Sequence, residues 1–425
     1  MRFFYNLLSY IVLIPYAGLF LFRSVVNRAY RENLGQRFGF GYPEIAASIW
    51  VHAVSVGEVQ AALPLVRALR ERHPARRLLV TTVTPTGAAR VRAAFGDSVE
   101  QSYIPFEFPF AIKRFFRSVN PQAALIMETE IWPNLYRACD DRDIPLILVS
   151  ARISPRSVPN YKRLLPLIRK TLSYGIIIAA QSRSDADRFL ALGADPERTS
   201  VMGNIKFDVE LPEGAREAGI RLRRETIGDR PVWIAASTHR GEEQQVLDAH
   251  QVLLEQHPDL LLILVPRHPE RFADIRQLIE KRGFDVISRS DGEACGASTQ
   301  VLLGDTMGEM PLFFAASDVA FIAGSLVPIG GHNLLEPAAQ GLPIITGPYN
   351  FNAQEVADLF VELRACRRVE DWQELAASVG ELLGRPDRRA ELGNNALALL
   401  EQNRGALARL LVLLEPLLDE RQRAC

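Results

Sequence analysis

From residue 48 onward, short runs of β-branched and apolar residues alternate with stretches of helical period, and no other feature of the chain narrows its fold as far. Such a rhythm predicts parallel sheets covered by helices on both faces. Strands are expected over 49–54, 78–83, 122–127, 144–149 and 175–180. After GNIKFD (203–208) the rhythm lapses through a polar stretch containing Pro and Gly, then restarts over 232–236, 260–265, 300–304, 318–323 and 342–346. One lapse implies two doubly wound units, and 425 residues exceed what a single hydrophobic core usually supports. The expected division is an N-terminal Rossmann-like domain over 23–210, a linker over 211–230, a C-terminal Rossmann-like domain over 231–385, and leucine-rich helices over 386–425 able to cross back to the first domain. Two such domains leave a cleft between them, and open sheets of this type bind ligands beyond the carboxyl ends of their strands.

Residues 3–22, FFYNLLSYIVLIPYAGLFLF, carry no charge. As a helix they would cover about 30 Å, the thickness of a bilayer's hydrocarbon core. A membrane-anchor helix is expected here; a helix lying on the membrane or buried in the fold is the alternative. Only Arg2 precedes the segment, whereas Arg23, Arg28, Arg31 and Arg37 follow it. The positive-inside rule then puts the rest of the chain on the cytoplasmic side.

The chain balances 49 basic against 50 acidic residues, which argues against the broad positive field that nucleic-acid binding needs. Basic surface is local. Six basic residues (Arg152, Arg156, Lys162, Arg163, Arg169, Lys170) and no acidic one lie between Ser150 and Lys170. FEFPFAIKRFFRSV (106–119) mixes five phenylalanines with Lys113, Arg114 and Arg117. These two stretches are expected to meet anionic headgroups or a phosphorylated lipid, the alternative being core aromatics with solvated charges. Cys139, Cys295, Cys366 and Cys425 form neither a CxxC pair nor a disulfide framework, which fits a reducing compartment without structural zinc.

Among segments able to carry chemistry, SLVPIGGHNLLEPAAQGLPIITGP (325–348) reads as loop, helix, strand. Gly330 and Gly331 permit close approach of backbone amides, a helix beginning near Asn333 turns its positive end toward the loop, and Glu336 in its first turn can accept ribose hydroxyls. VPRHPERF (265–272) and GDTMGEM (304–310) follow strands of the same unit, offering the fork of Arg267 and the backbone around Met307, Gly308 and Glu309. In ASTHRGEE (236–243), Ser237, Thr238 and Glu242 are expected to face the ligand, unless the segment is only a capping box.

In the first unit, VHAVSVGEVQAALPLVRAL (51–69) sets Glu58 in the first turn of a helix, where it can serve as a general base if burial raises its pKa toward neutrality against the opposite pull of the helix N-terminus, the alternative being a favourable helix-dipole charge. ETEIWPNL (128–135) adds Glu128 and Glu130 beside an aromatic, as the lining of an acceptor pocket. Asp141 and Asp143 form a DxD, but DDRDIP precedes a strand and reads as a polar turn rather than a metal site. Zinc spacings, a GxSxG elbow and a P-loop are absent from the sequence, so metal-free chemistry without a cofactor is expected.

Taken together, VHAVSVGEVQAALPL, ETEIWPN, SARIS, GNIKFD, STHRGEE, PRHPERF, GDTMGEM and GSLVPIGGHNLLEP resemble, in order and over nearly the whole chain, the transferases of 3-deoxy-D-manno-octulosonic acid (Kdo) that build the lipopolysaccharide inner core. Ala323 in place of glycine and Ile153 in place of leucine are conservative departures. The resemblance implies a GT-B fold, CMP-Kdo as donor, and a tetraacylated lipid A precursor (lipid IVA) as acceptor at the cytoplasmic face of the bacterial inner membrane. It implies Glu58 as the general base of an inverting transfer. It also implies Pro266 and Arg267, Met307, Gly308 and Glu309, and Asn333, Leu334, Leu335 and Glu336 as the cytidylate site. A GT-B transferase or epimerase using a UDP-sugar is the rival enzyme; a membrane-anchored nucleotide-binding scaffold is the rival of another class.

Overall fold

A computed structural model describes residues 2–422. The chain forms two compact units: one runs to Asp208 and resumes at Arg404, the other spans Val209–Asn403. Each is built on a seven-stranded sheet in which every pairing is parallel.

In the first unit the strands are β1 (Ser48–His52), β2 (Arg77–Thr82), β3 (Glu100–Tyr103), β4 (Pro121–Met127), β5 (Leu146–Ala151), β6 (Ile177–Ala180) and β7 (Thr199–Val201). Their order, β3-β2-β1-β4-β5-β6-β7, reverses between β1 and β4. All of β1 and β5 is buried, as central parallel strands must be when helices cover both faces. The Pro109–Val119, Pro133–Asp140 and Arg183–Ala191 helices cover one face around Trp50, Phe115 and Phe189. The Val56–Arg72 helix covers the other, joined by Ala406, Leu410, Leu414 and Leu418 of the Ala406–Gln422 helix. The carboxylate of Asp208 accepts from the backbone N–H of Gly405 (2.5 Å) and Leu407 (2.6 Å), pinning the chain where it returns.

The second unit contains β8 (Val232–Thr238), β9 (Leu261–Pro266), β10 (Val286–Ser288), β11 (Val301–Leu303), β12 (Val319–Ile322), β13 (Ile344–Thr346) and β14 (Arg367–Arg368), ordered β10-β11-β9-β8-β12-β13-β14. Here the reversal falls between β8 and β12. The Pro386–Asn403 helix belongs to this unit, and only the last helix belongs to the first.

The N-terminal segment does form a helix, Arg2–Val26, but the expectation of a membrane-spanning anchor over 3–22 needs correction. Among the described residues no helix is long and apolar enough to cross a membrane. One side of the segment packs on the first unit. Ala17 and Phe20 are buried with Phe106, Phe108 and Ala111, and Tyr5 donates to the buried carboxylate of Glu107 (2.8 Å). That carboxylate also accepts from the backbone N–H groups of Asn134 and Leu135, so it ties the helix to the start of the segment after ETEIWP. Arg37 lies buried between the rings of Phe20 and Tyr103, 4.4 Å from each.

Candidate active site

The reversal point of the first sheet gathers three carboxylates. Beyond β1, Ser55 caps the Val56–Arg72 helix by accepting from the backbone N–H of Glu58. The Glu58 carboxylate folds back to accept from the N–H of Val54 (2.8 Å). Burial raises its pKa to about 7; the Val54 hydrogen bond and Lys206 oppose the rise, while Glu128 and Glu130 add to it. Beyond β4, Glu128 adopts a left-handed backbone (φ 56°) that turns the chain sharply at the strand end. Burial would raise its pKa too, but Lys206 (2.7 Å) and Arg152 (2.6 Å) outweigh that and hold it below the ordinary carboxylate value. Glu130 is pushed up by burial against the bond from the Trp132 indole. One carboxylate is therefore poised near neutrality beside another fixed as an anion, a division of acid–base character that accompanies catalytic roles. Lys206 was not singled out in the sequence, though GNIKFD contains it, and Arg152 was expected only as part of a basic surface; the fold brings both to Glu128.

In the second unit the loops beyond β8, β9, β11 and β12 supply the cytidylate candidates. The backbone N–H of Arg267, just after Pro266, donates to the carbonyl of Thr238 and ties the β9 loop to the β8 loop. Met307 is exposed, Gly308 is left-handed (φ 83°), and the Glu309 carboxylate is engaged by the Arg289 fork (3.1 Å twice) and by Thr306. Backbone groups are thus what 307–309 has to offer a base. Asn333 donates to Glu336 (3.0 Å) and accepts from the N–H of Leu335 (3.0 Å), at the start of the short Leu335–Ala339 helix. Burial raises the pKa of Glu336, opposed by Asn333 and then Arg267. Leu334 and Leu335 are buried, so their side chains serve the core and only their backbone is available.

Three expectations change. Glu242 is fully buried, and its carboxylate accepts from the N–H groups of His239, Gly324, Ser325 and Leu326. It braces the loop after β12 instead of facing a ligand, because four amides compensate a buried charge as no solvent could. Of the five phenylalanines in 106–119, only Phe110 is exposed; the others are core. Arg152 is drawn out of the expected basic surface into the Glu128 pair. Asp143, left-handed (φ 53°), and Asp141, paired with Arg137, do form the expected polar turn. Among the described residues no three His, Cys, Asp or Glu side chains converge in a metal-binding group.

A family model described as 3-deoxy-D-manno-octulosonic-acid transferase matches residues 32–209, and one for glycosyl transferases group 1 matches 229–398. The 3-deoxy-D-manno-octulosonic acid transferase of Haemophilus influenzae is 43% identical over 98% of this chain and 99% of its own. This chain belongs to the Kdo transferase family. It is a glycosyltransferase. The C-terminal CMP-Kdo binding domain of WaaA from Acinetobacter baumannii is 36% identical over 44% of this chain and 98% of its own, with a TM-score of 0.43. The UDP-GlcNAc 2-epimerase of Neisseria meningitidis, 13% identical over 86% of this chain and 98% of its own with a TM-score of 0.54, shares the fold of the Kdo transferase. That fold is the GT-B-like pair of parallel α/β units.

Proposed function

We propose that this Kdo transferase moves Kdo from CMP-Kdo to a hydroxyl of the lipid A precursor lipid IVA, with inversion and without a metal or cofactor. The single observation that carries the reading is the Glu58 carboxylate, seated at the reversal point of the first sheet with a pKa of about 7 beside the anionic Glu128. A base near neutrality can take a proton from an alcohol as it attacks and still be unprotonated in the resting enzyme. Glu58 removes the acceptor's hydroxyl proton, the oxygen bonds to the anomeric carbon, and the bond from that carbon to phosphate breaks with its electron pair staying on the phosphate. Cytidylate leaves from the second unit, held by Arg267, the backbone of Met307–Glu309 and the Asn333–Glu336 segment.

Membrane attachment is proposed through the uncovered face of the Arg2–Val26 helix. Leu7, Ile11, Ile14, Phe22 and Val25 recur at helical spacing and are exposed, whereas Ala17 and Phe20 point into the fold. A helix with one apolar face covered by protein and another left bare suits the headgroup boundary of the cytoplasmic leaflet of the bacterial inner membrane better than its core. Mass spectrometry of the lipid made by purified protein from isotope-labelled CMP-Kdo and lipid IVA tests the reading. A mass increase matching Kdo is expected; an unmodified acceptor, or transfer from a UDP-sugar instead, would overturn it.

A further inference from the structure

At the reversal point of the second sheet, each of the two diverging strands delivers a histidine: His239 just after β8 and His332 in the loop after β12. Their Nε2 atoms lie 2.8 Å apart, with the rings nearly parallel (10°) and 5.0 Å between centroids. Two imidazole nitrogens meet at that distance when one carries a proton and the other presents its lone pair, so the contact shares a single proton. His268 closes on His239 edge-first at 5.3 Å. The fold accepts strain to build this arrangement. Ser237 is held in the left-handed region (φ 63°), and a side chain at Gly324 (φ 71°) would meet the His332 ring at 2.9 Å. Next to His239, the hydroxyl of Thr238 is buried without a hydrogen-bond partner among the described residues.

The charges around the pair favour an anion. Burial first, then His239, Arg267 and His268, push the pKa of His332 down to about 3; burial, His268, Arg271 and Arg267 lower that of His239, against Glu243. The acidic groups nearby are already engaged: Glu243 by Arg271 (2.6 Å), Glu242 by four backbone N–H groups, Glu336 by Asn333, while Glu270 stands 3.9 Å from His268. The pair is therefore neutral and enclosed by positive charge, a state that an arriving anion reverses.

We propose that the His239–His332 pair is the receptor for the phosphate that leaves the donor, and that it takes up one proton as the second negative charge forms there. This rests on the reading of the second unit as the cytidylate site. The donor's phosphodiester carries one negative charge. When its bond to the anomeric carbon breaks, the electron pair remains on oxygen and the phosphomonoester carries two. The acceptor's proton goes to Glu58; the proton gained by the histidines comes from water. Once that bond has broken, an imidazole–imidazolium pair faces the dianion and holds the departed cytidylate more strongly than the intact donor.

Calorimetric titration with cytidine 5′-monophosphate at pH 7.5, in buffers of different ionisation enthalpy, tests this. Cytidylate is already largely dianionic there, with a second phosphate pKa of about 6. The intact protein should take up close to one proton per nucleotide. Its affinity should fall by up to about tenfold per pH unit above 7, since the pair binds its proton more tightly in the complex than in the free protein. In His332→Gln, shown by its melt to be folded, or in His239→Gln should it not fold, the uptake and the pH slope should both vanish. Binding with no proton uptake, or with the same uptake in the variants, would overturn the pair's role alone. Failure of cytidylate to bind at all would overturn the cytidylate reading with it.

Discussion

The ammonium of Lys206 sits 2.7 Å from the carboxylate of Glu128, joining the GNIKFD turn to the end of β4. Since Lys206 also lowers the pKa of Glu58, replacing it by Met should move the acid limb of the pH–rate profile upward from about 7. It should also destabilise the first unit by about 1–3 kcal/mol, less than for a broken isolated pair because Arg152 still holds Glu128. A pH–rate profile and a thermal melt measure the two effects.

Glu58→Gln should lower turnover by about 10² to 10⁴-fold, the range for loss of a general base, and leave cytidylate affinity within about twofold. It should also change stability with a definite sign. The folded-state pKa of Glu58 is raised from 4.5 to about 7, so its favourable contribution is complete below 4.5 and is lost as pH rises through 7. The variant should therefore melt a few degrees above the parent at pH 8, with the gap closing toward pH 4.5. Scanning calorimetry across that range checks it.

Glu336→Ala should weaken cytidylate binding by about 1–3 kcal/mol, because polar groups of the ligand and Asn333 lose their acceptor. Isothermal calorimetry gives the number directly.

Glu242→Ala should act differently. Four backbone N–H groups lose their acceptor inside the fold, so the second unit should lose several kcal/mol of stability whether or not nucleotide is present. A melt resolving the two units separates this bracing role from ligand contact.

Ile14→Glu and Phe22→Glu alter the bare face of the N-terminal helix without touching its buried side. Flotation on anionic liposomes should fall while the melting temperature holds. Point changes are preferable to deleting the helix, which would uncover Phe106 and Phe108. Lys162→Glu with Arg163→Glu tests the exposed part of the 150–170 stretch by the same assay, with a loss of about 1 kcal/mol per basic group at low salt.

The ten strands expected from sequence all correspond to strands of the two sheets, and the four that were not expected are β3, β7, β10 and β14. Those four are the sheet edges. An edge strand is half-covered and short, as EQSY, TSV, VIS and RR show, so it lacks the continuous apolar run that marks a buried parallel strand. The place of Glu58 in a first helical turn was legible because cap, turn and helix are contiguous. The pairs Glu128–Lys206 and His239–His332 were not, since each joins loops brought together only by strand order, 78 and 93 positions apart. Glu242 misled for a simpler reason: a glutamate in a first helical turn looks the same in sequence whether it aims at a ligand or at the next loop. In the N-terminal helix, overall hydropathy concealed that its apolar residues divide between two faces.

The measurement that bears most directly on Glu58 as the base in Kdo transfer is kcat/KM with CMP-Kdo and lipid IVA from pH 5 to 9, for the parent and Glu58→Gln. The parent should rise about tenfold per pH unit below an apparent pKa of about 7 and level off above it, while the variant stays low and loses that limb. A parent profile without an inflection in this range, or a variant that keeps both the inflection and near-parental turnover, would contradict the account.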